Sequence, residues 1–230
     1  MVSPTLLAIG AHYDDCVFGI PGIMLHAIRK HYRVVILALI GDYTNWPPVR
    51  GREKDFLEQN IRICKDYGAE LRFLDFASYR FDVNMETKRA VARAVADVKP
   101  DIAFMLWPED THPDHVVAAA LSKVALRHGD RVLDGVAYKA PKAIYAYDNG
   151  PRHTIGFEPN TYVDISPVWP DAIDWLGKTM AMMRNQPYDR AQPDPAQKLK
   201  ETIARYRGAA AGVPYAEALW LAGVRVQEIL

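Results

Sequence analysis

The chain has little that would tie it to an oxidising, membrane or polyanionic setting. Its 230 residues include two cysteines, Cys16 and Cys64, too few for a disulfide framework and in keeping with a reducing compartment. Charge of one sign is also missing. The 28 Lys and Arg residues face 28 Asp and Glu, so nothing electrostatic favours nucleic acid or an anionic membrane. No apolar run approaches the about 20 residues that a membrane-spanning helix needs. The opening Met1-Val2-Ser3-Pro4 carries no basic residue of the kind that begins a secretory leader. Repeats, low-complexity tracts and a linker long enough to divide the chain are absent as well. The expectation is one domain over residues 1–230, soluble and cytoplasmic, with neither nucleic acid nor membrane as a partner.

What is present points to a large core, since 50% of the residues are hydrophobic. Continuous apolar runs predict strands at 5–10, 33–40, 71–76 and 101–107. Helical periodicity predicts helices at 20–31, with Pro21 in the first turn, at 53–67, with Gly68 as the C-cap, and at 86–98 and 116–128. Further on, strands are expected at 132–138, 142–147 and 162–165. Helices are expected at 169–183 and 197–206, separated by the joint Gln192-Pro193-Asp194-Pro195. Strands that alternate with helices and are apolar throughout imply an α/β fold with a mostly parallel sheet covered on both faces. Such sheets bind ligands beyond the carboxyl ends of their strands.

Two loops at such ends concentrate chemistry. Gly10-Ala11-His12-Tyr13-Asp14-Asp15-Cys16 follows the first strand, and Asp110-Thr111-His112-Pro113-Asp114-His115 follows the fourth. So many charges near one sheet edge are costly unless a cation or a proton-transfer task uses them. His12, Asp15 and His115 make a set of two imidazoles and one carboxylate with a position left open for water, as in catalytic zinc sites. Asp14 then serves as general base toward that water. His112 steadies the oxyanion or protonates the leaving group, and Asp110 orients His112. A plainer reading stands beside this one: Asp14 and Asp15 as helix caps, and His112 or His115 as an ordinary loop histidine.

These motifs resemble the LmbE/PIG-L family of zinc-dependent N-acetylglucosaminyl deacetylases, whose signatures are Ala-His-Pro-Asp-Asp and His-Pro-Asp-His loops. Here they read Ala11-His12-Tyr13-Asp14-Asp15 and His112-Pro113-Asp114-His115. Weaker matches are Val163-Asp164-Ile165-Ser166, Asn185-Gln186 and the closing GAAAGVPYAEAL at 208–219. The resemblance implies a Rossmann-like three-layer fold with a metal site at the carboxyl ends of the strands. It implies Zn2+, or another divalent metal, on His12, Asp15 and His115. It further implies Asp14 as base, His112 as transition-state stabiliser, a small-molecule N-acetylated sugar or conjugate as substrate, and a homo-oligomer. Tyr13 departs from the family's proline, which would have fixed φ; its phenol is either a tolerated substitution or a substrate contact. The helix at 53–67 also lacks the Arg-x-x-Glu pattern often found there.

For the pocket, Tyr13, Asp42 and Arg52 are the substrate-binding candidates. Arg50, Tyr43, Trp46, Trp107, Asp148, Asn149 and His153 are weaker ones, and Cys16 is read as a buried thiol. Glu217 either holds the closing segment or reaches the pocket. The function expected is hydrolytic removal of an acetyl group. The rivals are a metallohydrolase on a non-sugar amide or phosphate ester, and a metal-binding homologue without activity. Neither loop has the clustered basic residues or glycine-rich turn that a phosphate would want.

Overall fold

The computed structural model describes residues 3–221. Strand β1 (Thr5–Gly10) is buried at every position, because neighbours pair with it on both sides and helices cover both faces. It runs parallel to β2 (Arg33–Asp42) on one side and to β4 (Ile102–Leu106) on the other. With β3 (Ala69–Ala77), β5 (Ala143–Tyr147), β6 (Thr161–Asp164) and β7 (Ala216–Leu221), they form a seven-stranded sheet in the order β3-β2-β1-β4-β5-β7-β6. The first five strands in that order are parallel, and β7 is antiparallel to both its neighbours. Leu7, Ile9, Ile36, Leu37 and Leu106 are among the fully buried side chains, each stabilising the fold by about 1.5–3 kcal/mol.

The helices make two layers. On one side, α2 (Pro21–Arg29) and α3 (Glu53–Asp66) pack on α6 (Trp169–Met183); elsewhere α4 (Met85–Val98) packs on α5 (Pro113–Val132). The chain builds β1, β2 and β3 outward, and α4 then returns it to β4 on the far side of β1. The strand order therefore switches between β1 and β4. The loops that leave those two strands flank one crevice.

Several boundaries differ from expectation for identifiable reasons. The helix expected at 20–31 is α2, and a further short helix, α1 (Asp15–Gly19), precedes it; the two are separate because Ile20 leaves helical geometry at φ −137°. A Cβ on Gly19 would lie 2.4 Å from the Tyr147 ring, so this close passage requires glycine. The expected strand at 132–138 does not form. Helix α5 runs on to Val132 past a kink at His128, and the chain beyond it is held by the Tyr138 hydroxyl, which donates to the Ala125 and Leu126 carbonyls. Strand β7 shows in the sequence only as part of the closing motif. It is reached after α7 (Pro195–Ala211) through Gly212 at φ +73°, and its partners lie more than fifty residues back. Among the described residues, no helix is long and apolar enough to cross a membrane.

Candidate metal centre

The first loop is shaped by Gly10. A Cβ there would lie 2.8 Å from Cβ of Asp15, so only glycine lets the loop fold back on itself. Asp15 Oδ2 then accepts the His12 amide at 2.8 Å, and its Oδ1 accepts from Asn149 Nδ2 at 2.7 Å. Asp15 is the first residue of α1. Asp14 occupies the N-cap position, yet its side chain makes no capping bond and instead lines a cavity of 390 Å³. The capping role weighed for these two carboxylates is thus taken by neither in the usual way.

The second loop passes into α5 earlier than its periodicity suggests. His112 is the N-cap, Pro113 opens the helix, and Asp114 and His115 stand on its first turn. The crossing of the two loops brings His12 and His115 to a ring separation of 5.3 Å. One ligand atom from each of His12, Asp15 and His115 falls within 4.8 Å of the others.

Carboxylates back both imidazoles. His115 Nε2 is 3.3 Å from Asp15 Oδ1, and its Nδ1 is 3.1 Å from Asp110 Oδ2. His12 Nε2 is 3.3 Å from Asp114 Oδ2. A carboxylate behind a histidine fixes its orientation and raises its basicity toward a metal. Burial opposes charge on His12, but Asp114 and Asp15 outweigh it and raise its pKa to about 9. Burial likewise opposes charge on His115, and Asp15 and Asp110 lift its pKa to about 10. Asp15 shows the converse: burial disfavours its ionisation, yet the two imidazoles hold it well below the usual carboxylate range. The cluster therefore calls for roughly two positive charges. One divalent cation with neutral imidazoles would supply them, so the donor set fits a metal.

His112 differs. Burial and the charges of His12 and His115 lower its pKa to about 4. Its Nδ1 accepts the Asp114 amide at 3.2 Å, which puts the proton of the neutral ring on Nε2. Asp110 does hold His112, through the backbone amide at 2.8 Å; its contact with an imidazole is the one to His115. The polar loop after β5 is clamped onto this region. Thr111 donates its amide to the His153 carbonyl at 2.8 Å, and Asp110 bridges Thr154. That clamp sets Asn149, Arg152 and His153 on the cavity wall.

Of the three pocket candidates, Tyr13 lines the cavity, with its ring among Phe56, Tyr43 and Trp46 at 4.8, 6.1 and 6.5 Å. An aromatic cluster has replaced the restraint a proline would have given. The other two expectations need correction, because neither side chain is on the cavity wall. Asp42 Oδ1 is occupied by the amide and hydroxyl of Thr44. Arg52 donates to the Met182, Met183 and Pro48 carbonyls, capping the end of α6. Trp107 is used in packing on Phe157 and Trp220. Cys16 is buried 3.2 Å from the Tyr147 hydroxyl. Glu217 holds the start of α2. The wall also has residues that pattern-reading missed: Ser78 and Tyr79 after β3, and Met180, Met183 and Arg184 at the end of α6. Position after a parallel strand was the only signal for the first pair.

Solved structures with the same architecture are known. One is GalB, the 4-carboxy-2-hydroxymuconate hydratase from Pseudomonas putida KT2440, at 20% identity and a TM-score of 0.80, with 99% of each chain covered. Another is the N,N'-diacetylchitobiose deacetylase from Pyrococcus horikoshii, at 20% identity and 0.77, covering 96% of this chain and 84% of that one. The conserved protein TT1542 from Thermus thermophilus matches at 22% identity and 0.77, over 97% and 96%. At these identities the likeness is one of fold. The GlcNAc-PI de-N-acetylase (PIG-L) family profile matches residues 7–126, a span that holds both histidine loops and more than half of the chain. The chain belongs to the PIG-L family.

Proposed function

We propose that the protein is a metal-dependent hydrolase that removes an acetyl group from an N-acetylated amino sugar or sugar conjugate. The observation that carries this reading is the meeting of His12, Asp15 and His115 within 4.8 Å, on the same cavity as Asp14, whose side chain makes no capping bond. The family supports it, and the chitobiose deacetylase shows the same fold at work on an acetylated sugar.

His12, Asp15 and His115 would hold the ion, and two imidazoles with a carboxylate suit Zn2+. When bound, the ion polarises the amide carbonyl and acidifies water. Asp14 takes the proton of the attacking water; burial and then Asp15 push its pKa up to about 6, so it titrates close to neutral pH. His112 stabilises the oxygen on which negative charge develops, its Nε2–H orienting the donor that faces that oxygen. The carbon–nitrogen bond breaks, the nitrogen regains a proton, and acetate and amine leave. Phe18, Trp46, Met180, Met183 and Leu199 give the cavity an apolar wall against which a sugar ring packs.

The deciding experiment is amine release from a panel of N-acetylated sugars and conjugates, with and without chelator. Release that stops on metal removal and returns with zinc is expected; release indifferent to complete metal removal sinks the reading. The backing carboxylates give a second expectation. Asp110→Asn and Asp114→Asn should each weaken zinc binding about 10–100-fold in competition with a chromophoric chelator, and His115→Ala should not retain stoichiometric zinc.

A different reaction has its own observation. The likeness to the hydratase spans 99% of both chains, and Arg152 brings a guanidinium to the wall, suited to a substrate carboxylate. Addition of water to an unsaturated acid would employ the same base and donor. Loss of conjugated-acid absorbance, with no amine released from any acetylated sugar, would decide for it.

A further inference from the structure

Tyr79 is built unlike a packing tyrosine. It follows β3 at φ +60°, in the left-handed region that a bulky residue seldom enters and that glycine or asparagine would occupy without strain. The residue is 69% exposed, so burial does not repay the conformation. What fixes the turn is Asp114: one carboxylate oxygen accepts the Tyr79 amide at 2.9 Å, and the other accepts the Ser78 hydroxyl. This is the carboxylate that also faces His12. Strain held in place by such partners at a cavity wall is a mark of function rather than of folding.

The side chain lies over His112. The two rings stack at 5.2 Å and 29°, and the Tyr79 hydroxyl oxygen is 3.3 Å from His112 Nε2. Because His112 Nδ1 accepts the Asp114 amide, Nε2 is the protonated nitrogen and the phenol oxygen is its acceptor. A hydroxyl that accepts from histidine keeps its own proton to give, and Tyr79 lines the cavity.

We propose that Tyr79 is a catalytic residue whose hydroxyl, held by His112 Nε2–H, donates a hydrogen bond to the substrate oxygen that gains negative charge. No proton is transferred, so the phenol is neutral before and after turnover. The role rests on the hydrolytic reading above, and its test is chosen to fail separately. Tyr79→Phe keeps the ring and the backbone conformation and removes only the donor. It should lower kcat about 100-fold, as loss of one such donor does, with KM within threefold and zinc content unchanged. Methylphosphonate, a tetrahedral anion that mimics the acetyl adduct, should bind the zinc-loaded Phe variant at least tenfold more weakly by calorimetry. Tyr79→Gly should match that loss of methylphosphonate binding while its melting temperature stays level or rises, since glycine relieves the strain. A Phe variant within twofold of the parent in kcat and in methylphosphonate binding overturns the proposal. So does a Gly variant that melts several degrees lower, which would make the residue structural. If no acetylated sugar is turned over at all, the deacetylase reading falls, and the methylphosphonate titration still decides the role of Tyr79.

Discussion

Asp14→Asn is expected to lower kcat by about 10³-fold, within the range removed with a general base, while zinc content and melting temperature stay those of the parent. Asparagine keeps the shape and the N-cap position but cannot accept a proton. The fold should not notice the change, because the Asp14 side chain makes no capping bond to α1 and asparagine is itself a favourable N-cap residue. Removal of the charge also relieves Asp15, whose proximity, after burial, is the main influence pushing the Asp14 pKa up to about 6. The metal should remain, since the proposed ligands, His12, Asp15 and His115, do not include Asp14. Amine release, elemental analysis and thermal melting on one preparation make the check. Retention of full activity would remove Asp14 from the role of base.

The second large effect concerns stability. Glu217 on β7 is 2% exposed and accepts the Gly22 and Ile23 amides at 3.0 and 2.8 Å. These amides open α2, whose N-cap residue Ile20 offers no side-chain bond, so a carboxylate from the far end of the chain takes the orphan donors. Lys200 Nζ is 3.0 Å from Glu217 and donates at 2.8 Å to the Gly19 carbonyl, where α1 ends. Glu217→Gln leaves the buried ammonium without its counter-charge. The expected loss is about 3–5 kcal/mol, or roughly 10 °C in melting temperature for a chain of this size. Glu217→Gln with Lys200→Met should be more stable than Glu217→Gln alone, because no buried charge is then left unpaired. Denaturant unfolding measures both. A loss under about 1 kcal/mol for the single variant would mean that water reaches the pair. The expected effect reaches the site as well, since α1 begins with Asp15.

Both experiments mark how far reading along the chain carries. The parallel strands β1, β2 and β4 were legible because an apolar run buried on both faces leaves no other pattern. The placing of His12 and His115 at strand ends followed from that. The mates of the backing carboxylates were not legible. Asp110 sits two residues before His112, yet its side chain reaches the ring of His115 one helical turn further on, because α5 begins at Pro113 and rotates that ring inward. Arg52 looked free to meet a substrate until α6, more than a hundred residues later, brought its terminal carbonyls to it. Tyr79 had no motif at all. Glu217 was open between two roles until β7 took its place between β5 and β6.

By itself the sequence singled out the two histidine loops as the candidate site, showed which apolar runs become the parallel strands, and placed both loops at the same edge of the sheet. These follow from side-chain type and local period, which are properties of neighbours in the chain. Only the tertiary structure decided which carboxylate stands behind which imidazole, that Asp14 lines the cavity without capping α1, and that Tyr79 lies over His112. Those pairings join residues about thirty to one hundred positions apart, or depend on where one helix starts. Long-range packing and the first turn of α5 set them, and neither leaves a periodic trace in the sequence.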